Sequence, residues 1–121
     1  MAPPPPTTLP SLRSELNEAD ARSWLERFRA AWERKDGAAL LQLGAISPAA
    51  VPKIASHADV RSSTLLKGFQ PSASGAEIDF DRTDVLRENG QEVTVHYRCE
   101  LSKTGGEVVA HGCQMSRGDR P

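Results

Sequence analysis

Apolar residues in the first third of the chain recur every three or four positions. Ala21, Trp24, Leu25, Phe28, Ala31 and Trp32 form one stripe, and Arg22, Glu26, Arg29 and Glu33 lie around the other side. That spacing predicts a long amphipathic helix held by its apolar face. Asn17, followed by Glu18 and Asp20, supplies a side-chain cap and acidic first-turn residues that the helix dipole favours. Large apolar residues at helical spacing read as core rather than as a cofactor box. Asp36-Gly37 ends the helix and caps a short second one through Ala38, Leu40, Leu41 and Leu43, closing at Gly44. Ser47-Pro48 opens a third short helix, with Pro52 in its first turn or the helix starting later.

Between Ala58 and Gln70 the apolar residues Val60, Leu65, Leu66 and Phe69 match neither period, so a helical turn and an irregular strand both remain open. Pro71-Ser72-Ala73-Ser74-Gly75 is a break, and after it the alternation has period two. Asn89-Gly90 predicts a two-residue hairpin turn, which pairs Leu86 with Val93, Asp84 with Val95, Arg82 with Tyr97, Phe80 with Cys99 and Ile78 with Leu101. Val93, Val95, Tyr97, Cys99 and Leu101 then share a face with Ile78, Phe80 and Leu86. A three-residue turn at Lys103-Thr104-Gly105 pairs Cys99 with Val109, Tyr97 with His111, Val95 with Cys113 and Val93 with Met115. Cys99 and Cys113 are not opposite in that register, and two free, buried thiols are expected. The fold class is α+β: N-terminal helices packed on an antiparallel β-meander.

At 121 residues, 38% hydrophobic and 26% charged, the chain fits one domain with one core. Residues 1–11 carry five prolines and read as a disordered proline-rich tail or linker, leaving 12–121 as a single α+β domain. A proline run can also be a ligand for aromatic-grooved domains, but no basic residue flanks it before Arg13. A formal net charge of -1 offers no field for nucleic acid or an anionic membrane. There is neither a secretory leader nor an apolar run long enough to cross a bilayer, so a cytoplasmic location is the default expectation.

The helix end Ala31-Trp32-Glu33-Arg34-Lys35-Asp36-Gly37, the short leucine helix and the meander together resemble the nuclear transport factor 2-like superfamily, also called the polyketide cyclase-like or cystatin-like cone fold. The resemblance spans about residues 18 to 117. It implies a cone-shaped domain whose curved sheet is roofed by the long helix. The superfamily includes ketosteroid isomerases, limonene epoxide hydrolases, polyketide cyclases and many non-catalytic domains that dimerise or bind small ligands. Such domains usually end in a further strand, whereas this chain stops at Gly118-Asp119-Arg120-Pro121, where that strand would begin. A fragment of a longer protein, a minimal sheet without the usual last strand, or a strand supplied by a partner, follows as an expectation. An uncovered edge at residues 107 to 117 would favour dimerisation or a covering segment.

The hairpin register turns Arg82, Asp84, Tyr97 and His111 inward among apolar neighbours, which makes them candidates for a ligand pocket. Resemblance to the isomerases implies Asp84 as acid or base and Tyr97 as donor. Resemblance to the epoxide hydrolases implies Asp84 and Arg82 holding a water. The weightier alternative is a β-bulge between Arg82 and Asp84 that turns them to solvent and leaves Val85 inward. His57, His96 and His111 are too scattered for a metal site, His96 should face outward, and no phosphate loop is present, so neither metal nor cofactor is implied. Arg117-Gly118-Asp119 reads as a turn after a strand.

The functional expectation is a non-catalytic accessory or small-ligand-binding and dimerisation domain, with a small apolar ligand and a homodimer or a larger parent protein as partners. The alternatives are a small isomerase, cyclase or hydrolase acting on an apolar cyclic substrate, and a structural module pairing through a strand edge.

Overall fold

The computed structural model describes residues 16–117. The proline-rich tail expected at 1–11 and the turn expected at 117–119 fall wholly or partly outside them. Helices α1 (Glu18–Arg34), α2 (Gly37–Gln42) and α3 (Val51–Ile54), with a 3-10 turn at Pro48–Ala50, precede strands β1 (Val60–Ser72), β2 (Gly75–Leu86), β3 (Glu92–Thr104) and β4 (Glu107–Arg117). The strands form one open, curved antiparallel sheet in the order β1-β2-β3-β4.

Helix α1 begins in a reciprocal cap. Asn17 Oδ1 accepts from the Asp20 N–H at 2.9 Å, and Asp20 Oδ2 accepts from the Asn17 N–H at 3.0 Å. The helix ends on Lys35 in the left-handed conformation, φ 57°, rather than on Gly37. Asp36 then caps α2 through the Ala39 N–H, and Gly37 becomes its first residue. Glycine is needed there for a different reason, because a Cβ would stand 2.8 Å from the Val51 carbonyl oxygen. Pro52 sits in the first turn of α3, where its missing N–H costs nothing.

The stripe of α1 lies on the concave face of the sheet. Trp24 and Phe28 are each 1% exposed and meet Phe80 edge-on, and Phe28 meets Tyr97 edge-on at 5.5 Å. The Leu43 carbonyl ties three elements together. It accepts from Trp24 Nε1 at 3.1 Å and from the Ala110 N–H of β4 at 2.8 Å. At φ 79°, Gly44 allows this closure, since a Cβ on it would lie 2.0 Å from the Ala110 oxygen.

Most of the undecided stretch 58–70 falls in β1, which starts at Val60 and runs on through Pro71 and Ser72 of the expected break. Val60, Ser62, Thr64 and Leu66 face inward until a bulge at Lys67 shifts the alternation, after which Phe69 faces in. That inserted residue is why the apolar pattern fitted neither period. The β2/β3 hairpin also differs from expectation. Asn89-Gly90 occupies the last half of a four-residue loop, closed by Leu86 N–H to Gln91 O, so Phe80 pairs with Tyr97 and Arg82 with Val95. The β3/β4 hairpin turns through Gly105-Gly106, both at positive φ, instead of the expected three-residue loop. His111 is the extra residue of a bulge opposite Glu100 and Leu101. Beyond it, Cys99 stands directly opposite Cys113 and the two form a disulfide, which corrects the expectation of free thiols.

Candidate functional site

Strand geometry decides which side chains meet beneath α1. Arg82 and Asp84, two residues apart on β2, project to the same face, and the register runs through them without a bulge, so Asp84 and not Val85 turns inward. Arg82 is 6% exposed and Asp84 7%. Asp84 pairs across β1 with Ser62, while Tyr97 of β3 lies diagonal to Arg82 and stacks on Phe80 with ring centres 4.7 Å apart.

The Asp84 carboxylate is fully engaged. Ser62 Oγ donates to Oδ1 at 2.6 Å, Trp32 Nε1 donates to Oδ2 at 3.2 Å, and Arg82 Nε donates to both oxygens at 3.1 Å. Each oxygen therefore has two donors, and a carboxylate offers about four lone-pair sites in all. The Arg82 guanidinium carbon sits 3.9 Å above the centre of the Trp32 ring, a cation-π contact. Arg82 Nη1 donates to the Tyr97 hydroxyl oxygen. Burial pushes the Tyr97 phenol above its ordinary pKa of 10.0. The Arg82 charge pulls it partly back, and Asp84 adds to the rise. The phenol is thus neutral at physiological pH.

Glu33, on the polar side of α1 and one turn beyond Arg29, accepts the Ser62 N–H at 2.7 Å and pairs with Arg29 at 3.2 Å, which fastens the free edge of β1 to α1.

Above this cluster opens a cavity of about 690 Å³, between the sheet and the segment from Ala45 to Val60. Phe28, Ile46, Ile54, Val93 and Leu86 supply apolar wall, and Arg82, Asp84 and Tyr97 supply the polar groups. Its mouth carries the exposed residues Lys53, His57 and Met115. Cavities of this size and character suit a small organic ligand. The outer face of the sheet is different. Its groove of about 440 Å³ is lined by charged groups that satisfy one another, with Arg98 on Asp79 at 2.8 Å and His96 on Asp81.

Of the four residues singled out in the sequence, Arg82, Asp84 and Tyr97 come together and His111 does not. The bulge at His111 turns its ring to the exposed outer face, where it meets Ser102 Oγ. Trp32 and Ser62 belong to the cluster but were not anticipated. Trp32 read as plain core, although its place at the last turn of the stripe leaves it half-buried. Ser62 lay in the segment whose structure was open. Among the described residues no three His, Cys, Asp or Glu side chains gather as a metal would require, and no helix is long and apolar enough to cross a membrane.

No protein-family model matches the sequence, and no curated protein matches it. Two solved structures are similar in shape. One is a conserved protein from Planctomyces limnophilus DSM 3776, with TM-score 0.61 and 14% identity over 83% of this chain and 96% of that one. The other is a nuclear transport factor 2-like superfamily protein from Salmonella enterica subsp. enterica serovar Typhimurium str. LT2, with TM-score 0.57 and 16% identity over 84% of this chain and 91% of that one. With helices first and a curved four-stranded meander after them, the chain has the nuclear transport factor 2-like fold.

Proposed function

We propose that the chain is a non-catalytic domain that binds a small, largely apolar molecule in the cavity between its helices and the concave face of the sheet. The observation that carries this reading is the apolar cavity of about 690 Å³ with an ordered polar cluster at one wall. Binding is favoured over turnover because the cluster lacks a free base. Asp84, the acid or base implied by resemblance to the isomerases, already accepts on both oxygens from Ser62, Trp32 and Arg82. A ligand at a hundred times its Kd stabilises the native state by about 2.7 kcal/mol. A thermal-shift screen of apolar and cyclic compounds should therefore give hits of several degrees, and Ala50→Trp, which fills the cavity from its partly exposed wall, should abolish them. Hits that survive Ala50→Trp would place binding elsewhere. The Cys99–Cys113 disulfide favours an oxidising compartment over the cytoplasm.

A second reading, pairing through a strand edge, is favoured by β4. Its first half is covered by the Leu43 carbonyl at Ala110 and by Arg27 Nη2 at the Val108 carbonyl. From Gly112 to Ser116 no described backbone group pairs with its outer edge, and Met115 beside it is 66% exposed. Sedimentation velocity across a concentration series should then show a dimer that Met115→Pro disperses, since the alternation of the ladder turns the Met115 N–H to the outer edge; a monomer throughout would remove this reading.

A further inference from the structure

We infer that the molecule taken by this cavity ends in a carboxylate, received by the Arg82 guanidinium and the Tyr97 hydroxyl. The inference rests on the ligand-binding reading above and adds the chemistry of the head group.

It comes from counting hydrogen-bond capacity at the buried cluster. A guanidinium carries five N–H donors. In Arg82, Nε is used on Asp84 and Nη1 gives one bond to Tyr97, while Nη2 has no partner among the described residues. This side chain is only 8% exposed and lines the cavity. Buried donors without protein acceptors favour a ligand that can accept from them over one that can only donate. The Tyr97 hydroxyl oxygen accepts from Arg82, which leaves its own hydrogen to be donated. The phenol stays protonated, as burial dictates.

What the cluster offers a ligand is therefore donors alone. An amine would meet only N–H and O–H groups, and an alcohol would find no acceptor for its proton, because both Asp84 oxygens are occupied. Trp32 covers one face of the guanidinium, so a partner must approach in its plane. The planar fork matches two carboxylate oxygens in that approach. A carboxylate is favoured over a neutral carbonyl because its hydrogen bonds to the guanidinium are charge-assisted, and Arg82 lines the cavity.

The test uses the full chain in isothermal titration calorimetry with head-group series on fixed bodies: naphthoate, naphthamide and naphthalenemethanol, then decanoate, decanamide and decanol. The acids should bind about tenfold or more tighter than the amides and alcohols, since a charge-assisted pair outweighs a neutral one by that order. Arg82→Lys keeps the charge but loses the planar fork and should remove most of that preference. Tyr97→Phe should weaken the acids severalfold, and it remains informative if Arg82→Lys does not fold. Lys53→Ala should leave the preference largely in place. Amides or alcohols binding as tightly as acids would overturn the inference and leave the cavity reading standing. A preference unchanged in Arg82→Lys and Tyr97→Phe, or lost in Lys53→Ala, would overturn it too. If no member of either series binds, the cavity reading fails and this inference fails with it.

Discussion

Replacing Asp84 by asparagine isolates the charge of the buried pair. With its amide nitrogen toward Ser62, whose hydroxyl accepts as readily as it donates, the asparagine keeps a partner for Ser62, and its oxygen can still serve Trp32 and Arg82 Nε. The negative charge is lost, and with it the Arg82 Nε contact to Oδ1, while the contact to Oδ2 remains. Arg82, at 6% exposure, is then a buried cation whose nearest counter-charge is gone. Breaking a buried pair by removing one partner costs about 3–5 kcal/mol. Because every donor keeps a partner and Trp32 still shields the cation, we expect the lower part of that range, about 3 kcal/mol. A domain of this size is stabilised by about 5–15 kcal/mol in total, so the loss is a large share of it. In urea denaturation followed by tryptophan fluorescence, Asp84→Asn should lower the midpoint with an unchanged slope. Arg82→Met and Asp84→Leu should each destabilise more than the double substitution, because replacing both partners removes the desolvation penalty along with the attraction. An Asp84→Asn cost below about 0.5 kcal/mol is the value of a solvent-exposed pair. It would refute the inward placement of β2 at this point and, with it, the polar wall of the cavity.

Two further outcomes follow from the same cluster and from the β3/β4 hairpin. Tyr97 is the single tyrosine of the chain, so absorbance at alkaline pH reads it alone, and its midpoint should lie above 10.0 in the native protein and return there in urea. Since the folded pKa is the raised one, this group's contribution to stability is present below the unfolded value and lost as pH rises through the folded one; a native midpoint at or below the unfolded one would contradict its burial. For the disulfide, native protein should show no reactive thiol before reduction and two after it. Reduction, or the Cys99→Ser and Cys113→Ser pair, should cost about 2–3 kcal/mol, slightly under the chain-entropy value for a loop of about 15 residues, because the Gly105-Gly106 turn already restricts the hairpin. Equal stability of oxidised and reduced protein would show that the bond does not hold the hairpin.

How far the site was legible depends on the parity of each strand register. The expected β2/β3 pairing was displaced by two residues, since Asn89-Gly90 serves a longer loop than its usual one. Side chains alternate with period two, so an even displacement leaves every residue on its face. Arg82, Asp84 and Tyr97 therefore pointed inward in both registers, and their meeting was visible without the correct loop. The β3/β4 displacement was odd between the turn and the bulge, so His111 exchanged places with Ala110, which packs in the core at 4% exposure. The bulge restores parity, which is why Cys113 kept its face and gained Cys99 as its opposite number. Nothing local marks that bulge, because it is fixed by what lies above β4: the Leu43 carbonyl at Ala110 and the close approach of Gly44.

The distinction between a binding residue and a base was illegible for a related reason. A lone Asp on an inward strand position looks equally fit for either role in the sequence. On the proposed reading its role follows from donors that arrive from α1 through Trp32 and from β1 through Ser62, at sequence separations of 52 and 22 residues. With Arg82 Nε, those donors exhaust the carboxylate, and Asp84 at the same time holds Arg82 by Nε alone, while Arg82 lines the cavity. On the binding reading proposed above, the contacts that occupy Asp84 also position the arginine to meet the ligand. A variant that frees Asp84, such as Ser62→Ala, would on this argument loosen the arginine before it created a base.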